Sequence, residues 1–594
     1  MGLIAKTGRK SIGTSFLLLG ILFVLTVGAV TMVIPFLLML TASTHTQVDR
    51  TAFTVWPAFL TDETVLYQKY LSAKYNESPS VLRAVWETDH KSFQGIELQQ
   101  SFNRKRAEAW RQFLLETDVP LHEQVAGFTY TPASRGRPWN ERRFLRAQHV
   151  AFDGSISDLN DVMQTSFADW NAFRVLPPDT RSRLGLHADT PWWRAWNAFV
   201  QQEVPDWAKG THNLTGFYRE RIQAVMGGEE SLTPRPPEEE EARARWELFV
   251  REVVHPGYVR FAPQAEPAWQ SFLQKRYVTL ETYQSITGRQ EARWQEIALP
   301  ASLAETGTLR ADWLDWLIGW QDPGSGTTYE ISLDAVHLVC VELTWRDLHG
   351  EMPPYRDVDQ LLFEENRAAI RKLFLFQNYG TVWEILIVHG RGLWVTVLYC
   401  GGAVLIALMV NPMAAYALSR FRPRHSYSLL LYLLLTMAFP PMVTQIPLFL
   451  MLRDLNLLNT FWALWLPGMA HGYSIFLLKG FFDSLPRDLY ESASLDGAGE
   501  MRMFVTITLS LSKPILAVIA LSAFVNAYTS FMFALLICQD ESMWTLMVWL
   551  YQMQQQYGSG VMNAAFVLAA IPTLIVFLAA QRQILRGIVV PSEK

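Results

Sequence analysis

The chain has 594 residues, 50% of them hydrophobic, 13% aromatic and only 18% charged, below the roughly 25% charged share of soluble domains. A net charge of -5 and the absence of a basic low-complexity arm exclude nucleic acid as a partner. Three dispersed cysteines, Cys340, Cys400 and Cys538, provide neither a disulfide framework nor a cysteine metal cluster. No GxxxxGK[ST] loop is present, so the chain has no Walker-type cradle for ATP phosphates; neither cofactor nor metal is expected.

Lys6, Arg9 and Lys10 precede an uncharged apolar run, 16–40, longer than the about 20 residues that span a bilayer. A signal peptide would carry an apolar core of about 7–15 residues and then a small-residue cleavage site. The longer run predicts a retained anchor whose cationic N-terminus lies in the cytoplasm.

From 48 to 371 the character changes to a region dense in Trp, Arg and Glu, with no spanning segment. Following a helix that runs outward, it is expected to be extracytoplasmic. A weak internal repeat organises it. Tyr75, Leu82, Trp86, Thr88, Phe93 and Ile96 keep the offsets of Phe152, Leu159, Met163, Thr165, Trp170 and Phe173. A third copy gives Tyr277, Trp294, Ile297, Leu299 and Pro300. Aromatic pairs follow at helical i, i+3 spacing: Trp110 and Phe113, Trp196 and Phe199, and Trp313 and Trp316, with Trp246 and Phe249 similar. They are expected to form the core of a mainly helical domain, the competing reading being a platform for stacking sugars. The run at 234–241, PRPPEEEE, reads as a solvated linker. Asp153, Asp158, Asp169 and Glu296 could suggest a glycosidase pair, and 269–300 faintly resembles a helical stretch of some β-galactosidases. No alternating run of strands is present to hold two carboxyls about 5–9.5 Å apart, so hydrolase activity is not expected.

Five more apolar runs follow, at 393–418, 427–452, 461–478, 515–537 and 564–580. Arg420, Arg422, Arg424 and His425 mark a cytoplasmic loop after the first of these. Alternation then places 476–514 and the C-terminus inside. Pro440, Pro441, Gln445 and Pro447 interrupt one run; Pro467, Gly468, His471 and Gly472 the next; Asn526, Tyr528, Thr529 and Ser530 the one after. Irregular backbone at membrane depth persists only where protein or a water-filled cavity satisfies it. Gln445, His471, Tyr473, Asn526 and Tyr528 are therefore candidate solute-cavity residues, with interhelical hydrogen bonding as the alternative for each. The glutamine-rich stretch 549–560 is expected to be an outside loop before the last helix.

Between the fourth and fifth spans lies FLLKGFFDSLPRDLYESASLDGAGEMRMFVTITLSLSKP, residues 476–514. Pro486 stops one helix, Asp488 stands at a potential N-cap, and 489–494 can form a short amphipathic helix that Gly497 ends. Met501, Phe504, Val505 and Leu509 then recur at helical spacing.

Glu491, Ser492, Ala493, Asp496, Gly497 and Ala498, preceded by Phe481, Pro486 and Leu489, resemble the EAA loop of ABC importer permeases, above all the maltose-type (MalG-like) sugar permease subunit. Pro35, Phe36 and 41–43 resemble the end of that family's first helix. Phe376, Asn378, Tyr379, Val382 and Trp383 resemble the segment that normally follows it closely, so 48–371 reads as an insertion. Ser492 stands where the family has a second Ala, Ser510 follows Leu509 where a Pro is usual, and 590–594 replaces the usual Gly-Ala-Val-Lys ending.

The resemblance implies an all-α membrane protein with six transmembrane helices and a large helical extracytoplasmic insertion between helices 1 and 2. Its divisions would be 1–47, 48–371 and 372–594. It further implies a non-enzymatic permease subunit of an ATP-driven carbohydrate importer in the bacterial inner membrane. The six EAA-like residues would couple to a cytoplasmic ABC ATPase dimer, beside a second (MalF-like) permease and an extracytoplasmic solute-binding protein. Two other classes compete. A membrane receptor predicts a cytoplasmic output domain, and none follows Lys594; an ATP-independent secondary transporter predicts charged intramembrane residues and paired repeats. The insertion is expected to dock the binding protein or capture oligosaccharide.

Overall fold

Proline and glycine positions decide where the membrane helices run and stop. The computed structural model describes residues 12–51, 54–117, 119–120, 123–125, 138–170, 172–173, 191–226, 232–303, 307–388, 391–436 and 440–587. The N-terminal cations and the 590–594 ending lie outside these residues. The chain divides into two compact units, one comprising Met1–His45, Phe53–Trp56 and Leu375–Lys594, the other Thr46–Ala52 and Pro57–Phe374.

In the first unit, among the described residues, three unbroken helices are long and apolar enough to cross a bilayer: Phe16–Ala42, Gly392–Arg420 and Ser559–Gln581. At 1.5 Å per residue, even the 23 residues of the last extend about 35 Å, more than the about 30 Å hydrocarbon layer. The other expected spans are interrupted. Ser426–Thr436 is followed by Pro441–Asp454, with Pro440 as N-cap of the second helix. The next run is divided into Phe461–Trp465, the 3-10 turn Leu466–Gly468 and Gly472–Asp483. Lys513–Thr529 gives way at Ser530 to Phe531–Ile537. A proline lacks the N–H and clashes with the preceding turn, which explains the first two breaks.

The Gly392–Arg420 helix is the hub, packing on both Gly472–Asp483 and Lys513–Thr529; the latter packs on Ser559–Gly587, which in turn meets Ile12–Ala42. Small residues permit further close approaches around this core: a Cβ at Gly402 would overlap the Trp465 ring of Phe461–Trp465, and one at Gly560 the carbonyl of His45, just beyond the first helix. The glutamine-rich stretch departs from expectation. It is a helix, Leu546–Gln556, because Leu546, Leu550 and Met553 recur at i, i+4, i+7 and are all buried.

The second unit is mainly helical, with two short antiparallel pairs, Val259–Phe261 with Val336–Leu338 and Trp320–Gln321 with Thr328–Tyr329. The repeat corresponds to a recurring helix order. Its copies run Glu63–Lys74, Pro79–Trp86, Arg104–Glu116; Trp139–Ala151, Ile156–Met163, Pro191–Gln202; and Glu266–Tyr277, Leu280–Thr287, Gly307–Ile318. Each middle helix has 8 residues and stops at a left-handed residue: Glu87, Gln164 or Gly288. In the first copy Gln68 Nε2 donates to the carbonyls of Gln94 and Ile96; in the third, Gln270 does the same to Gln295 and Ile297.

Trp110, Trp196, Trp246 and Trp313 are fully buried, as are Phe249 and Trp316, while Phe199 is 6% exposed. These aromatics are packed core, which removes them as a sugar-stacking platform. The proposed linker is partly structured: Leu338 N–H donates to Pro234 O, and Glu240 and Glu241 begin the Glu240–Leu248 helix, their charges favourable at its N-terminus. The carboxylates of the glycosidase reading belong to local structure. Asp169 accepts from Ala172 N–H and Glu296 from Ala292 N–H, while Asp158 lies in the first turn of Ile156–Met163.

Candidate functional site: the 476–514 segment

Pro486 is the N-cap of a nine-residue helix, Arg487–Leu495. Asp488 therefore lies inside the first turn rather than at the cap, since the proline with its fixed φ precedes it. The helix ends in a Schellman turn: Ala498 N–H donates to Ala493 O at 2.9 Å and Gly497 N–H to Ser494 O at 3.0 Å. Gly497 has φ +79°, with nothing within 4 Å of a Cβ placed there. The backbone conformation, not crowding, demands glycine.

Glu491, Ser492, Asp496 and Gly497 are exposed, and Ala493 and Ala498 half-buried. Leu489, Leu495 and Met501 are exposed beside them, Leu495 at 89%. One short helix thus presents a contiguous mixed surface. Beneath it, Tyr490 is the buried residue. Its hydroxyl shares a hydrogen bond with Thr508 Oγ1 at 2.8 Å, and the Arg420 guanidinium lies 5.0 Å from its ring centre. Tyr416 donates to Glu500 Oε2 at 2.7 Å and packs against Phe504, with ring centres 5.1 Å apart. Ser419 Oγ donates to Asp483, which also pairs with Lys479, each at 2.6 Å.

These contacts tie both sides of the exposed helix to the end of Gly392–Arg420. The sequence placed Tyr490, Glu500 and Thr508 within this segment and Arg420 in the basic cluster, but gave no sign that these residues and Tyr416 contact one another. Only their nearness to the Gly497 turn and to the basic cluster could have pointed to them. The face after the turn follows the expected spacing only in part, with Phe504 buried and Leu509 half-buried. Met503, Phe504 and Thr508 are buried, whereas Met501 and Val505 face outward. A π-helical stretch, Phe504–Leu509, widens the turn and shifts the periodicity. This stretch belongs to Glu500–Leu509, which meets Lys513–Thr529 at an 86° bend.

The five solute-cavity candidates are spread over three helices. Tyr528 is buried, stacks on Phe524 and donates its hydroxyl to Ala569 O, which joins two helices. His471 N–H donates to Asn411 Oδ1 at 2.9 Å, and its Nδ1 lies 3.1 Å from Ser474 Oγ. Gln445 is half-buried, and Tyr473 and Asn526 are exposed. Among the described residues no group of three His, Cys, Asp or Glu is placed to hold a metal.

A hub helix, broken apolar helices around it and an exposed polar helix tied to the hub define a multi-pass membrane transport subunit. Residues 404–590 match the family described as binding-protein-dependent transport system inner membrane component. The chain is similar to the diacetylchitobiose uptake permease NgcG of Streptomyces coelicolor, 31% identical over 35% of this chain and 71% of that protein. It is similar also to the melibiose/raffinose/stachyose import permease MelC of Bacillus subtilis, 30% identical over 36% and 79%. The sn-glycerol-3-phosphate permease UgpE of Yersinia enterocolitica is 31% identical over 40% and 87%. The chain belongs to this family: it is a permease subunit of an ABC importer in the inner membrane. ATP hydrolysis resides in a separate subunit, and the receptor and secondary-transporter readings are set aside.

Proposed function

We propose that this permease imports a carbohydrate, most simply an oligosaccharide, through six membrane-crossing segments of which several are broken helices. The basic 420–425 cluster and 476–514 face the cytoplasm, and 48–371 is an extracytoplasmic insertion between the first two segments. Glu491, Ser492, Ala493, Asp496, Gly497 and Ala498 form the docking helix for an ABC ATPase dimer. A second, MalF-like permease completes the pathway, and a solute-binding protein delivers the cargo to it. Gln445, His471, Tyr473 and Asn526 are assigned to the solute path, with Tyr528 supporting them through its interhelical hydrogen bond. ATP-driven closure of the ATPase biases two arrangements of the helix bundle and so switches access between sides. Saccharide-importing relatives such as NgcG and MelC support the choice of cargo.

The observation that carries the coupling assignment is the exposed Arg487–Leu495 helix held to Gly392–Arg420 through Glu500–Tyr416 and the Arg420–Tyr490 contact. Co-purification from native membranes in mild detergent tests it, comparing wild type with Gly497→Asp. Recovery of an ABC ATPase and a second permease with wild type, and loss of the ATPase alone with the variant, is the expected result. An unchanged set of partners would refute the assignment. For the insertion, replacing 48–371 with a short linker is expected to weaken uptake and binding-protein affinity. Survival of both would remove its proposed role.

A further inference from the structure

The first and third copies of the repeat share a cation–tyrosine–carboxylate triad built on a buried carboxylate. In the third copy Arg276 pairs with Asp312 at 2.8 Å, and Tyr277 donates to the same carboxylate at 2.9 Å. Asp312 immediately precedes the core residue Trp313. In the first copy Lys74 and Tyr75 take the places of Arg276 and Tyr277, but Ala109 precedes Trp110. The carboxylate instead comes from Asp359, 2.6 Å from Lys74 Nζ and 2.6 Å from the Tyr75 hydroxyl.

Above this triad lies a cavity of about 220 Å³, far more than the roughly 10–15 Å³ that one water needs. Trp110 and Tyr355 line it, and Gln124, Thr211 and Tyr75 bring hydroxyl and amide groups to its wall. Leu114 and Leu115 form part of its edge. The charged groups that line it have partners: Lys74 with Asp359, Lys209 with Asp206 at 3.1 Å, and Arg111 with Glu365 at 2.7 Å. A site whose charges are internally paired has no net charge to attract an ion. The apolar side chains of Leu114, Leu115 and Val119 together with neutral hydrogen-bonding groups suit a ring that is apolar on its faces and hydroxylated at its edge, without stacking on the buried Trp110.

The geometry points to a saccharide-binding pocket in the inserted unit, between the Lys74–Asp359 floor and the Leu114 edge, that holds one neutral sugar ring. The ligand class rests on the carbohydrate reading of the importer; the location does not. The pocket would capture cargo separately from any site within the membrane helices.

The test is equilibrium dialysis of the full chain in lipid nanodiscs against glucose, melibiose, raffinose and diacetylchitobiose, to about 10 mM, where even a millimolar site fills. Uptake of the same sugars is measured in parallel by the reconstituted importer. Leu114→Trp fills the cavity from its edge, and Gln124→Ala removes a hydrogen-bonding group from its wall; thermal unfolding confirms that each variant folds. Saturable binding is expected, with at least tenfold weakening in Leu114→Trp and about fivefold in Gln124→Ala, the equivalent of one hydrogen bond. Uptake without binding would overturn the pocket while leaving the carbohydrate importer intact. Binding unchanged in both folded variants would place the site elsewhere and likewise overturn it. Neither binding nor uptake of any sugar would overturn both readings.

Discussion

The hydroxyls of Tyr490 and Thr508 lie 2.8 Å apart in a buried hydrogen bond that closes the two arms of the exposed 476–514 segment on each other. Tyr490 belongs to the short helix and Thr508 to the π-helical stretch after the turn, so a tilt of one arm is expected to carry the other. Tyr490→Phe retains the ring but removes the shared bond, costing about 1 kcal/mol. ATPase co-purification should persist while uptake per bound ATPase falls. Tyr490→Ala also leaves a cavity, worth several kcal/mol, and should lose both. Equal uptake by wild type and Tyr490→Phe would show that the bond transmits nothing.

Gly497 occupies a left-handed conformation in open space. Gly497→Ala should therefore lower the stability of this turn by about 1 kcal/mol without steric damage, and reduce ATPase recovery less than Gly497→Asp. Quantified co-purification of the two variants checks this order.

In the inserted unit Gln164 ends its helix at φ 56°, where the third copy has Gly288. Gln164 is exposed, so Gln164→Gly relieves backbone strain without removing packing. The expected gain is up to about 1 kcal/mol, partly offset by glycine's entropy in the unfolded chain. A rise in the thermal midpoint is the readout, and a fall would contradict the account.

Burial raises the Glu123 carboxyl to about 7 and that of Asp312 to about 6. Around Glu123, the Val341 N–H and Arg260 act in the opposite direction and Glu342 in the same one. A carboxyl with a raised folded-state pKa binds its proton more tightly in the native state. Its stabilising effect is full below the unfolded value and is lost as pH rises through the folded value. The inserted unit should therefore become less stable between about pH 4.5 and 7. Glu123→Gln, which keeps an acceptor for Val341 N–H, should flatten that slope. Thermal unfolding of the full chain across this range, followed by tryptophan circular dichroism, measures it.

Trp313 is fully buried and stacks on Phe261 with ring centres 4.1 Å apart. Trp313→Ala should destabilise the inserted unit by about 3–5 kcal/mol. The same truncation at exposed Trp56 should change the midpoint little, a contrast visible in one pair of melting curves.

Local rules made much of this protein legible in its sequence. An uninterrupted apolar run announces a membrane helix because lipid offers its backbone no other hydrogen-bond partner. Pro440 and Pro441 announce a break, and the offsets from Tyr75 to Ile96 announce a repeat, because short-range geometry alone enforces them. The Gly497 turn was readable for the same reason. What the sequence could not determine depends on residues brought together from far apart. Tyr490 with Thr508, Tyr416 with Glu500, and Lys74 with Asp359 meet only after helices pack. The π-helical turn at 504–509 and the helix at 546–556 likewise depend on which faces find a neighbour. Hydrophobic periodicity specifies that a face will be buried, but tertiary packing decides against what, and thereby whether a tyrosine such as Tyr528 faces a cavity or joins two helices.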